Sequence, residues 1–286
     1  MGAAKARACR RVALTALGLL GDGQTANSTR NMKNFFGIAP SAQNAVDLFA
    51  GSWSSRLPPE AGEVQAGATP LHGDFRVQWA FEKLGGVAGQ RVLEIGPLEA
   101  AHTYMFEKAG ASEVLAVEAN GAAYLRCLIA KELVGLKRAR FLLGDAVRYL
   151  EQTQERFDFG LACGVLYHLI EPLRFLRLFI EHCDRFFIWT VVYDSTWVEK
   201  HPEYAHKFGV KAPIAEAGFR CDARVFAYAE ALAWNGFCGG GETHALWLTR
   251  DDLMCAVEYF GGEVVAMQDE IHPFSPAIWL AVRRKR

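Results

Sequence analysis

The sequence predicts an α/β fold: a doubly wound, mostly parallel seven-stranded sheet with an N-terminal helical cap and an insertion after the fifth strand. Three observations carry the prediction. From Arg91 onward, short β-rich apolar runs alternate with segments of helical period, which is the pattern of a parallel sheet covered by helices on both faces. Each run and its following helix have the length of one βα unit. A long aromatic stretch then interrupts the alternation before the last helix and two closing strands.

The predicted strands are Arg91–Gly96, Glu113–Glu118, Arg140–Leu143, Phe157–Cys163 and Phe186–Tyr193, and helices are expected near 99–110, 121–135, 146–155 and 170–183. Right-handed crossovers place the carboxyl ends of these strands on one sheet edge, where ligands bind in such folds. A helix near 250–261 and strands Glu263–Met267 and Ala277–Val282 are expected to close the sheet as an antiparallel pair. The expected organisation is a cap over 1–90, an α/β core over 91–193, an insertion over 194–248 and a return to the core over 249–286. The insertion is rich in aromatics (Trp197, Tyr204, Phe208, Phe226, Tyr228, Trp247), and because it follows a strand's carboxyl end it is expected to hang over the ligand edge.

Composition bounds the function. A chain of 286 residues, 51% hydrophobic, can bury a large core. Its 31 Lys+Arg against 32 Asp+Glu leave no bulk positive field for a polyanion, so a small-molecule substrate is expected and nucleic acid is not. Seven cysteines lack any CxxC pair or zinc-ligand spacing, which argues against a metal site or a disulfide framework and for a reducing, cytoplasmic setting. Lys5, Arg7, Arg10 and Arg11 precede an apolar stretch over 12–20, but that stretch is short and has no cleavage site. It is read as an amphipathic helix or lid rather than a signal peptide, and no membrane association is expected.

The chemistry-bearing residues cluster at predicted strand ends. Val92-Leu93-Glu94-Ile95-Gly96 ends a strand in an acid and a glycine that permits close backbone approach to a ligand. Glu118 ends the next strand, where a carboxylate can accept hydrogen bonds from both hydroxyls of a ribose, with Ala119 beside it. Gly144-Asp145-Ala146 follows the third strand, where a carboxylate and backbone groups could meet an adenine amino group, although Gly-Asp before a helix is also an ordinary N-cap. Gly164 and then Tyr167 and His168 follow the fourth strand. Tyr167 either lays its ring against a cationic ligand group or packs as an ordinary aromatic; His168 is either a proton acceptor or a structural histidine. Cys163 reads as core, Gly239-Gly240-Gly241 as a mobile loop or plain connector, and the 283–286 basic cluster as a solvated end.

Over about 91–193 the chain resembles the class I S-adenosylmethionine-dependent methyltransferases. The resemblance implies S-adenosylmethionine as cofactor, with Glu94 and Gly96 near its methionyl part, Glu118 on the ribose, Asp145 at the adenine, and Ala119, Ala146 and Gly164 as further contacts. Tyr167 and His168 are then the catalytic candidates. Gly164-Val165-Leu166-Tyr167-His168 is also similar to the motif after the fourth strand of the tRNA wobble-uridine carboxymethyltransferase family. One departure stands out: the family's glycine-rich turn is here Gly96-Pro97-Leu98-Glu99-Ala100. Without those glycines the turn suits neither a dinucleotide nor a P-loop phosphate, whereas S-adenosylmethionine carries no phosphate. The expected activity is methyl transfer to a small molecule. The alternatives are a cyclase that converts S-adenosylmethionine to methylthioadenosine and a small ring such as azetidine-2-carboxylate, and a non-catalytic binding module.

Overall fold

The computed structural model describes residues 35–285 apart from Asn235 and Phe274. The lid or helix expected over residues 1–31 lies outside the described residues. The chain divides between Ser41 and Ala42, and everything below concerns the unit Ala42–Arg286. No helix among the described residues is long and apolar enough to cross a membrane.

Five parallel strands form the heart of the sheet: β1 (Arg91–Ile95), β2 (Glu113–Glu118), β3 (Ala139–Leu143), β4 (Phe159–Cys163) and β5 (Arg185–Val191). Strands β6 (Phe208–Glu216), β7 (Phe219–Ala227) and β8 (His244–Trp247) come from the insertion, and β9 (Gly262–Glu270) and β10 (Ala277–Arg284) close the main sheet. The order is β3-β2-β1-β4-β5-β10-β9, with β10 antiparallel to both neighbours. The expected seven-stranded, mostly parallel sheet with an antiparallel closing pair is therefore present. Strand β10 runs further than its apolar pattern, taking in Arg283 and Arg284 of the basic tail, and Arg284 pairs with Asp184 at 2.5 Å.

The central strands are buried on both faces, as continuous apolar runs in a helix-covered sheet must be. Leu93, Ile95, Leu115 and Val117 face one layer, which includes Phe175, Phe179, Leu253 and Val257. Val92, Val114, Phe159 and Phe187 face the other, with Val77, Leu84 and Phe106. Short helices α1 (Ala42–Asp47), α2 (Phe75–Leu84) and α3 (Ala101–Lys108) precede or follow β1. Helices α4 (Gly121–Val134), α5 (Ala146–Gln152) and α6 (Pro172–His182) make the next crossovers. Asn120 caps α4 by accepting from the N–H groups of Ala122 and Ala123, and Gly135 ends it in the left-handed region. Packing of α6 against β4 depends on Gly160, where a Cβ would come 2.6 Å from Phe179 Cζ.

The insertion leaves after β5 through two short helices, α7 (Ser195–Lys200) and α8 (Pro202–Ala205), and folds as a three-stranded antiparallel sheet, β6-β7-β8. Its ends meet, since the Tyr193 N–H donates to the Leu248 carbonyl at 2.9 Å. Residues 250–259 then form α9 (Arg250–Tyr259). The hairpin between β6 and β7 turns on Ala217 and Gly218, at φ 46° and 92°. Alanine is an uncommon residue for such a turn, so the hairpin carried little signal in the sequence.

Candidate functional site

The carboxyl ends of β1, β2 and β4 lie side by side, and the residues after them build the site. Gly96 follows β1 at φ 69°, and a Cβ there would stand 2.8 Å from Val165 Cγ2, so the β1 and β4 turns touch through the missing side chain. Leu98 (φ 54°) and Ala100 (φ 63°) are also left-handed, a conformation that costs about 1–2 kcal/mol for a residue with a side chain. Two carboxylates hold this turn in place of the absent glycines. Glu118 Oε2 accepts from the Leu98 N–H at 3.0 Å, and its Oε1 accepts from the Asn120 N–H at 2.9 Å. Glu99 is fully buried and accepts from the N–H groups of Ser54 (2.8 Å) and Ser55 (2.6 Å), with the Arg126 guanidinium 3.3 Å away. The unusual Glu99 thus ties the 52–56 segment to the turn after β1.

Glu94 is wholly buried. Its Oε2 accepts from the Thr103 hydroxyl, while Oε1 has no hydrogen-bond partner among the described residues and lies 4.0 Å from His102 Nδ1. Burial pushes its carboxyl up to about 7 against the opposing pull of His102 and Thr103. His102 in turn binds Asp74 through Nε2 at 2.9 Å, and Asp74 pairs with Arg76 at 2.6 Å. Burial raises the Asp74 carboxyl, but the hydrogen bonds from His102 and Arg76 outweigh it and hold the group well below the usual range. Arg76 lies over the Trp189 ring at 4.6 Å. Asp74, His102 and Cys163 bring ligand atoms within 4.8 Å of one another, but the Arg76 guanidinium already supplies the positive charge that a cation would bring to Asp74.

The Glu118 carboxyl is raised by burial, and the N–H groups of Asn120, Leu98 and Ala119 oppose that rise. Asp145 is the N-cap of α5, accepting from the Arg148 N–H at 2.9 Å, with Ala146 buried behind it. Gly164 (φ 83°) donates its N–H to the Trp189 carbonyl at 2.9 Å. Tyr167 packs edge-on to Trp189 and Trp247, both at 6.0 Å. His168 binds Tyr228 of the insertion through Nδ1 at 2.9 Å, and burial pushes its imidazole down to about 4. Burial likewise lifts the Cys163 thiol to about 12, consistent with the core reading. The insertion also reaches the β2 end, where Asn120 Nδ2 donates to the Phe237 carbonyl at 3.3 Å.

Sequence reasoning missed Asp74, Arg76, Glu99 and His102. Gly73-Asp74 before a helix carried a capping signal, but nothing in the sequence linked Asp74 to a histidine beyond β1.

No protein-family model matches the chain. A tRNA U34 carboxymethyltransferase of Psychrobacter arcticus is 27% identical over 116 residues, covering 38% of this chain and 33% of that protein. The chain thus spans about a third of the curated relatives it matches. The N-terminal domain of EvdMO1, crystallised in the presence of SAH and D-fucose, superposes with a TM-score of 0.62 at 19% identity, over 85% of this chain and 95% of that one. The fold is that of S-adenosylmethionine-dependent methyltransferases. The magnesium protoporphyrin IX methyltransferase of Synechocystis with bound SAH shares it, with a TM-score of 0.52 at 12% identity, over 92% and 95% of the two chains.

Proposed function

We propose that the protein is an S-adenosylmethionine-dependent methyltransferase with a small-molecule acceptor. The observation that carries this reading is Glu94 Oε1, a buried carboxylate oxygen with no hydrogen-bond partner among the described residues, one strand away from Glu118 at the same sheet edge. An unpaired buried carboxylate is costly, and an ammonium group such as that of a methionyl moiety would offset the cost. The residues present fit S-adenosylmethionine. Glu94 would hold its ammonium, Glu118 and Ala119 its ribose, and Asp145 with Ala146 its adenine; Gly96 and Gly164 would let backbone come close to it. When bound, S-adenosylmethionine supplies a methyl carbon activated by a sulfonium.

The chain's own contribution is enclosure and orientation. Tyr167 packs edge-on against Trp189 and Trp247, and this aromatic cluster would help keep water from the reacting groups. Alignment and exclusion of water can supply roughly 7–11 kcal/mol of barrier lowering. Tyr167 and His168 stand at the acceptor side, and the neutral charge and the covering insertion support a small acceptor. Mass spectrometry tests this with the protein and S-adenosylmethionine, with and without pooled small-molecule extract. Adenosylhomocysteine that forms only with extract supports methyl transfer. Methylthioadenosine from the cofactor alone would replace the reading with cyclisation, and binding without either product would leave a non-catalytic module.

A further inference from the structure

Tyr228 immediately follows β7 and is buried, its ring against Phe226 and Phe237. Its hydroxyl faces three groups: the Gly239 carbonyl, His168 Nδ1 at 2.9 Å and the His168 carbonyl at 3.5 Å. A phenol has one proton, and a carbonyl oxygen can only accept. The phenol and Gly239 carbonyl oxygens are in hydrogen-bond contact, which only the phenol proton can bridge, whereas the imidazole can bring its own proton to the phenol, so the proton lies between Tyr228 and the Gly239 carbonyl. The phenol oxygen therefore meets His168 with a lone pair, and Nδ1 must carry the hydrogen. A neutral imidazole has a single N–H, so Nε2 is left bare.

We infer that Tyr228 is a positioning residue that fixes His168 as the Nδ1–H tautomer, leaving Nε2 as proton acceptor for a hydroxyl- or amine-bearing acceptor molecule. The inference rests on the methyltransferase reading and narrows its substrate class. In the proton step the acceptor's O–H or N–H bond breaks, the proton moves onto Nε2, and the electron pair stays on the acceptor's heteroatom, which thereby becomes the nucleophile. Burial lowers the imidazole's affinity for a proton, so His168 is neutral before that step and gives the proton up to solvent after it.

The glycine run supplies the independent observation. A Cβ on Gly239 would come 3.0 Å from Tyr228 Cε1 and 2.7 Å from Phe237 Cζ, and one on Gly240 (φ 98°) would come 3.2 Å from the His168 carbonyl. The loop read as a mobile element or connector is thus packed tightly against Tyr228 and His168, and its glycines are what allow the Gly239 carbonyl to reach the phenol.

Nitrogen-15 NMR of histidine-labelled, unliganded protein tests the inference without any acceptor, with His168→Gln assigning the signal. The wild type is expected to show His168 with a protonated Nδ1 and a bare Nε2. Tyr228→Phe removes the lone pair facing Nδ1 and is expected to shift the ring toward the Nε2–H form or a mixture. Gly240→Ala, which pushes the loop off His168, is expected to move the same signal. A wild-type Nε2–H ring, or a tautomer unchanged in both variants, would overturn the inference. The wild-type spectrum decides even where a variant does not fold. A bare Nε2 without methyl transfer would defeat the functional reading alone, and methyl transfer with the wrong tautomer would defeat the inference alone.

Discussion

Glu94 and Glu118 end neighbouring strands and point to opposite lessons. Both are glutamates at the carboxyl ends of buried parallel strands. Glu118 is braced by backbone: Leu98 and Asn120 donate one N–H to each of its two oxygens, so the protein has already settled its orientation. Glu94 has one hydroxyl partner and one orphan oxygen in a fully buried setting. Identical residue types at equivalent places therefore do different work. One braces the turn after β1 while keeping lone pairs for a ligand, and the other stores an electrostatic demand that a ligand would meet. Glu99, a few residues away, marks the limit of the comparison, because all of its capacity goes into structure.

The largest expected effect comes from that limit. Glu99→Ala leaves the N–H groups of Ser54 and Ser55 without their acceptor and the buried Arg126 without its counter-charge. Removing one partner of such a pair typically costs about 3–5 kcal/mol. A urea midpoint shifted by that amount is expected, and an unchanged midpoint would show that the turn is held elsewhere.

Glu94 gives the next effect, read in pH. The folded protein keeps its carboxyl proton up to about 7, whereas the unfolded chain gives it up near the ordinary value of 4.5. Folding therefore binds a proton across that window, and this group's contribution makes the unliganded protein less stable as pH rises through it, levelling above about 7. Glu94→Gln carries no such proton, so the stability gap between variant and wild type should change in the variant's favour from pH 5 to pH 8. Parallel denaturation curves at both pH values would contradict a desolvated Glu94.

Gly96→Ala is the smallest of the three. The left-handed backbone costs a side chain about 1–2 kcal/mol, and the new methyl meets Val165 Cγ2 at 2.8 Å. Adding Val165→Ala should recover the steric part and leave the backbone part. Full recovery would mean that φ at Gly96 carries no strain.

The sheet was legible because its strands are buried runs bounded by turn residues, and burial on both faces writes itself into the sequence as uninterrupted Val, Leu, Ile and Phe. The strand-end positions of Glu94, Gly96 and Glu118 were legible for a related reason: a polar residue or glycine at the end of such a run stands out. Glu99 was not, because its partners are backbone N–H groups of Ser54 and Ser55, which any residue would offer. The Asp74–His102 and His168–Tyr228 pairs join residues far apart in the chain, and neither carries a spacing. The hairpin at Ala217-Gly218 stayed hidden because its strands lie half exposed and its turn lacks the usual asparagine or aspartate.

The central claim is that the β1 and β2 ends hold S-adenosylmethionine, and calorimetric titration of the cofactor into wild type and Glu118→Ala tests it most directly. Saturable one-site binding to the wild type and at least a tenfold loss of affinity in the variant are expected, a change of about 1.4 kcal/mol. Absence of binding to the wild type, or equal affinity in the two proteins, would contradict it.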